Sequence, residues 1–286
     1  MKKKKKSSQF SYREKALFLL LLFFIVGVFL HGKKNVSQPT KPVETTAKAQ
    51  TATISQSMRV PILLYHYVEN VTDERDTIRK SLSIYPHIFE EQIKTLLNGG
   101  YTFITAAQLG DAMDGKTVLP KKPIILTFDD GYRDFYTDVF PLLKKHHAQA
   151  TVYIVVNFLD KPNYMFSSQV KEVAQSGLVE IGSHTLYHPN LKTQSQERIE
   201  EEVIESKKML EEKFNIPVVS FAYPYGAFNQ RAIEAVKKAG YTTAVSTFPG
   251  IVINQENRYA VFRIRPGGRT GNTLLNYLAK DVFSEY

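Results

Sequence analysis

The chain contains no cysteine. That excludes a disulfide framework, a thiolate metal site and a lipidated N-terminal cysteine. The fold must therefore stand on its core alone, for which a hydrophobic content of 43% is ample. Net charge is also lacking over most of the chain. The formal charge of the whole is +9, yet residues 1–58 hold 11 Lys+Arg against 2 Asp+Glu, whereas residues 59–286 hold 26 of each. A neutral body presents no basic field to a phosphate backbone, so nucleic acid is excluded as a partner. No internal repeat is visible, and no histidine follows His188.

The basic excess belongs to the N-terminus. Lys2 to Lys6 form a cluster, followed by Arg13 and Lys15, and Ala16 to Leu30 is an unbroken apolar run. Its 15 residues fall short of the ~20 that span a bilayer as helix, but flanking Lys15, Lys33 and Lys34 can snorkel. No small-x-small cleavage site follows closely. The expectation is a cytoplasmic basic tail (1–15), an uncleaved transmembrane signal-anchor (16–31), a disordered linker (32–58) and an extracellular catalytic domain (59–286). The membrane is then a partner through the N-terminal helix. Secretion after cleavage of a signal peptide is the alternative.

From Arg59 onward short apolar runs alternate with helical stretches. Strands are expected at 60–65, 101–104, 124–128, 151–155, 178–181, 218–222, 242–246 and 260–264. One expected helix opens at Pro86, with Phe89, Ile93 and Leu96 on one face. Another runs over 194–214 behind a Thr193/Gln196 capping box, and a third over 229–239. This alternation predicts one α/β domain, and the number of strands predicts a barrel.

Polar residues collect where the strands stop. The buried-type strand Ile124–Phe128 ends at Asp129 and Asp130, two adjacent carboxylates that repel and need a cation. Leu178–Ile181 leads into His184 and His188, four apart, so one helical turn would put both imidazoles on one face. Two imidazoles and a carboxylate make a common first-row metal set. Val218–Ala222 leads to Tyr223-Pro224-Tyr225-Gly226, and Val60–Tyr65 leads to His66.

Thr-Phe-Asp-Asp-Gly (127–131), His-Thr-Leu-Tyr-His (184–188) and Tyr-Pro-Tyr-Gly (223–226) together resemble the three motifs of the NodB-homology polysaccharide deacetylases, carbohydrate esterase family 4. The resemblance covers roughly residues 59–270. It implies a distorted (β/α) barrel and metal-dependent removal of acetyl groups from sugars. By position it implies Asp129 as general base, Asp130, His184 and His188 as ligands of a divalent metal, usually Zn²⁺, and the Tyr225 backbone N–H as an oxyanion donor. The chemistry agrees, because an acetamide needs a polarised carbonyl, a base for water and an acid for the departing nitrogen.

Two positions depart from the family pattern. The arginine that pairs with the base, two residues before the proline, is replaced by Ala222, and Arg263 or Arg265 is expected to substitute. The C-terminal general-acid histidine is missing. His66 is left by elimination, and Pro-Ile-Leu-Leu-Tyr-His-Tyr (61–67) resembles the opening of a circularly permuted branch that includes poly-N-acetylglucosamine deacetylases. A neighbouring carboxylate is expected to raise its pKa. Tyr67, Tyr187, Tyr225 and Phe166 are candidates for sugar stacking. The expected activity is N-deacetylation of N-acetylglucosamine units in poly-N-acetylglucosamine, peptidoglycan or a wall glycan. O-deacetylation and a non-catalytic carbohydrate-binding module are the alternatives.

Overall fold

The computed structural model describes residues 57–280. Seven strands form one sheet: β1 Ile62–Tyr65, β2 Thr102–Ile104, β3 Pro123–Phe128, β4 Ala150–Ile154, β5 Val179–Ser183, β6 Ser220–Ala222 and β7 Thr243–Val245. The order is β7-β6-β5-β4-β3-β1, with β2 also on β3, and every pairing is parallel. β2 and β4 share one side of β3, β2 along 123–125 and β4 along 127–128, while β1 runs along the other. Every residue of β1, β3, β4, β6 and β7 is buried, as parallel strands covered on both faces must be. The α/β class and seven of the eight expected strands agree within two residues.

The eighth expected strand, 260–264, is not a strand. Val261 bridges to Val245 of β7, and Ile264 bridges to Leu63 of β1, both parallel. Its backbone groups are divided between two partners: Val261 with Ala244 and Ser246, Ile264 with Ile62 and Leu64. Neither edge therefore receives a continuous ladder. The same division joins the two edges of the curled sheet and makes the barrel a distorted one.

Alternation along the strands sorts the core into two clusters. Leu63, Leu126, Val152, Phe221 and Ala244 face the helices, together with Phe89, Ile93 and Leu96 of the helix Pro86–Asn98. Ile62, Ile125, Tyr153, Ala222, Val245 and Val261 form the second cluster, on the opposite face of the sheet. Two-residue steps from Ile125 reach Thr127 and Asp129, and one such step from Val261 reaches Arg263. The register thus aims Asp129 and Arg263 at one another.

Three expectations are corrected. The helical stretch over 196–214 starts behind Ser195, whose hydroxyl accepts from Arg198 N–H at 3.3 Å, and not behind Thr193, which ends a short 3-10 turn. Its middle, Glu201–Glu205, is a π-helical turn. The cell-membrane location, with a single pass and an extracellular catalytic part, is overturned: among the described residues no helix is long and apolar enough to cross a membrane. The longest helical stretch, 196–214, carries charge in each turn from Glu197 to Lys213, which a hydrocarbon layer does not accept. The apolar run 16–30 lies outside the described residues, as do the tail 1–15 and the linker up to residue 56. Met58 already pairs with Ile253 in a short antiparallel ladder.

Candidate active site

The site grows from the carboxyl ends of β3, β5 and β6. β3 is held to the end of β1 by Asp129 N–H donating to Tyr65 O at 3.1 Å. Asp130 and Gly131 then both adopt φ of 75°, turning the chain sharply out of the sheet. At Gly131 that φ favours glycine, and an added Cβ would meet only the movable end of the Ile154 side chain, Cδ1, at 2.8 Å.

Asp129 is 3% exposed and Arg263 1%. Arg263 Nη1 and Nη2 donate to Asp129 Oδ1 and Oδ2, both at 2.7 Å, a planar fork on a planar carboxylate. Its Nε donates to Ser246 O at 2.7 Å and Nη1 also to Thr127 Oγ1 at 3.2 Å. Burial alone pushes Asp129 upward, but the Arg263 charge outweighs it and holds the carboxyl well below the usual range. Of the two arginines expected to pair with Asp129, it is Arg263 that does so. Arg265 lines the pocket instead.

His184 and His188 come together by a route other than the expected helical turn. Residues 184–188 form a loop, with left-handed φ at Thr185 (73°) and His188 (60°). Leu186 and Tyr187 N–H donate to the buried Glu202 Oε2 at 2.7 and 3.0 Å, and His188 N–H donates to Thr185 Oγ1 at 2.9 Å. Glu202 sits in the π-helical turn and is paired with Arg198. His184 Nδ1 lies 2.7 Å from Ala222 O. A carbonyl only accepts, so Nδ1 carries the hydrogen and Nε2 keeps its lone pair. That Nε2 is 3.5 Å from Asp130 Oδ1, and His188 Nε2 is 3.3 Å from the same oxygen.

These three donor atoms all lie within 4.8 Å of one another. The protonation states fit a metal. Burial lowers His184 to about 3 and also lowers His188, so both rings are neutral, as ligands must be. Burial and the Asp129 charge raise Asp130 to about 7, the behaviour of a carboxylate beside a like charge. A dication among these donors would relieve that repulsion.

The pocket around them has a volume of about 550 Å³, within the roughly 300–1,000 Å³ of small-molecule sites. His66 lines it. Burial outweighs the pull of Asp129 and lowers His66 to about 4, so its expected upward shift is not met and the ring is neutral at rest. Its Nδ1 is buried without a hydrogen-bond partner. Tyr225, with φ of 61° inside the turn Pro224–Gly226, also lines the pocket, its ring 4.6 Å from that of His188.

A family profile described as polysaccharide deacetylase matches residues 116–244. YxkH of Bacillus subtilis, named as a polysaccharide deacetylase, is 30% identical over 247 residues, 86% of this chain and 84% of that protein. This chain belongs to the polysaccharide deacetylase family. The poly-β-1,6-N-acetyl-D-glucosamine N-deacetylase of Escherichia coli K12 is 32% identical over 214 residues, 60% of this chain but 32% of that protein, so the chain spans about a third of it. Among solved structures, the Streptococcus pyogenes deacetylase PplD in complex with acetate aligns with a TM-score of 0.73 at 27% identity, over 79% of this chain and all of that one.

Some residues of this deacetylase's pocket carried no mark in the sequence. Tyr132, Phe158, Tyr164, Leu82 and Thr247 also line it. Tyr132 and Tyr164 meet through an antiparallel bridge, with rings 5.1 Å apart, and Tyr67 stacks on Tyr132 at 3.9 Å. Tyr132 stands two residues after Asp130 and could have been found from that motif. Tyr164 had no such signal. Phe166 and Tyr187 do not line the pocket; Arg133 and Arg198 lie over their rings at 4.1 and 5.2 Å.

Proposed function

We propose that this polysaccharide deacetylase is metal-dependent and removes N-acetyl groups from N-acetylglucosamine units of a polymer, with residues 59–286 as the catalytic part. One observation carries the reading: an Asp130–His184–His188 donor set lies beside a carboxylate, Asp129, that Arg263 keeps ionised. The likeness to a protein named for poly-β-1,6-N-acetyl-D-glucosamine makes that polymer the first to test.

Asp130, His184 and His188 would hold a divalent ion, zinc being the one the family resemblance implies, and such an ion when bound would polarise the acetyl carbonyl and acidify water. Asp129 takes the proton of the attacking water. Its depressed pKa makes it a permanent but weak acceptor, so the proton passes on readily to a stronger base. Neutral His66, facing the same pocket, is that base, and it delivers the proton to the departing nitrogen. The Tyr225 backbone N–H, in a turn stiffened by Pro224, is the fixed donor for the developing oxyanion.

The test is acetate release from a panel of N-acetylated and O-acetylated glycans, with metal analysis of the same sample. Release from N-acetylglucosamine polymers that falls with the metal content is the expected result. Release from acetyl esters alone would make the chain an O-deacetylase, and full activity in metal-free protein would remove the metal from the reading.

A further inference from the structure

His66 can pass a proton to the departing nitrogen only from a fixed place. Yet its Nδ1 has no hydrogen-bond partner among the described residues. A bond at one ring nitrogen is the usual means of orienting an imidazole. Without one at Nδ1, the task falls to the backbone around it. Three links tie residues 65–68 to the segment that follows β3. Tyr65 O accepts from Asp129 N–H at 3.1 Å, the Tyr67 ring stacks on Tyr132 at 3.9 Å, and Val68 N–H donates to Asp134 Oδ2 at 2.6 Å. His66 lies between the first link and the other two. The segment it is tied to carries Asp129 and Asp130.

The third link is the costly one. Asp134 stands in the first turn of the helical stretch 133–146, but its side chain makes no cap bond there. It reaches instead to a backbone group 66 residues away. Both ends of the bond are buried, with Asp134 8% exposed and Val68 0%. Burial pushes the Asp134 carboxyl up to about 7; the Val68 N–H pulls it down, and the Glu69 and Asp138 charges push it up again. Arg79, whose charge reaches Asp134, is bonded to Glu69. A carboxyl buried beside like charges costs stability. Its one strong bond goes to the chain two residues beyond His66.

We propose that Asp134 is a positioning residue: through the Val68 N–H it fixes the backbone that sets His66 against Asp129, so that the proton taken from water is carried to the departing nitrogen. The bond needs an acceptor at residue 134 and not a charge. This rests on the reading of His66 as the proton carrier given above.

The experiment measures kcat for an N-acetylglucosamine oligomer, whose amine must be protonated to leave, and for an aryl acetate, whose phenolate needs little protonation. It uses the metal-loaded wild type, Asp134→Ala and Asp134→Ser, which both end the bond, and Asp134→Asn, whose amide oxygen keeps an acceptor. Metal content is measured in the same samples. In the Ala and Ser variants the ratio of oligomer to ester rate should fall by about 10- to 100-fold, the upper figure being the scale of a group misplaced by about 1 Å. Metal content should stay at the wild-type level, and Asp134→Asn should keep the wild-type ratio. In a His66→Ala background, Asp134→Ala should lower the ratio no further, because the two residues act as one unit. Equal losses on both substrates, the mark of a structural role, would overturn the proposal and leave the deacetylase reading intact. So would a further fall in the His66→Ala background, or a ratio lost in Asp134→Asn as well. Equal losses on both substrates in His66→Ala alone would instead remove the proton carrier, and the proposal with it.

Discussion

Removing the Arg263 guanidinium, as in Arg263→Met, leaves the Asp129 carboxylate buried without its partner. Arg263 is 1% exposed and makes two 2.7 Å bonds to that carboxylate, so solvent cannot take over the contact. Breaking one side of such a pair costs about 3–5 kcal/mol. For a domain of this size 1 kcal/mol shifts Tm by about 2–4 °C, so a fall of about 6–20 °C is expected at neutral pH. The pH dependence is the sharper part. In the wild type the folded pKa of Asp129 is depressed, so its stabilisation is present above the unfolded value of ~3.9 and is lost as pH falls towards the folded one. In the variant the attraction is gone and burial raises the folded pKa. The folded variant is then favoured below ~3.9 and penalised as pH rises. Both effects widen the Tm gap towards neutrality and narrow it in acid. Thermal melts of both proteins at about pH 4.5 and 7.5 measure it. A gap equal at the two pH values, or one worth less than about 1 kcal/mol, as for an exposed ion pair, would refute the reasoning.

Asp129→Asn should keep its bound metal, by metal analysis, and lose roughly 10²–10⁴-fold in acetate release, the scale of a general base. His66→Ala should slow an N-acetyl sugar far more than an acetyl ester with a phenolate leaving group, which needs little protonation; equal losses would assign His66 to the structure of the site. Gly226→Ala should both destabilise the fold and depress acetate release, because φ is 66° there and a Cβ would meet Thr247 Oγ1 at 2.1 Å and Thr247 N at 2.7 Å. Positive φ alone costs a non-glycine residue about 1–2 kcal/mol, and a denaturant melt unchanged by the substitution would contradict the packing described.

The sequence by itself determined the sheet and the positions of its strand ends. Buried parallel strands must be continuous apolar runs, and they stop where the polarity stops. Asp129, Asp130, His184 and His188 were therefore legible as groups at one rim, since parallel strands bring all their carboxyl ends to the same side. How those groups are held was decided only by tertiary structure. Arg263 and Arg265 were equivalent candidates along the chain, and the inward alternation from Val261, set by a segment shared between β7 and β1, aimed Arg263 at a carboxylate 134 residues away. The histidine spacing of four suggested a helical turn; the backbone instead takes two left-handed residues, tolerable because the buried Glu202, presented by a π-helical turn, accepts the loop's free N–H groups. Tyr164 reaches the pocket through a bridge to Tyr132. Local pattern encodes which residues are buried and where an element stops, whereas a partner distant in the chain is chosen by register and packing that no short window contains.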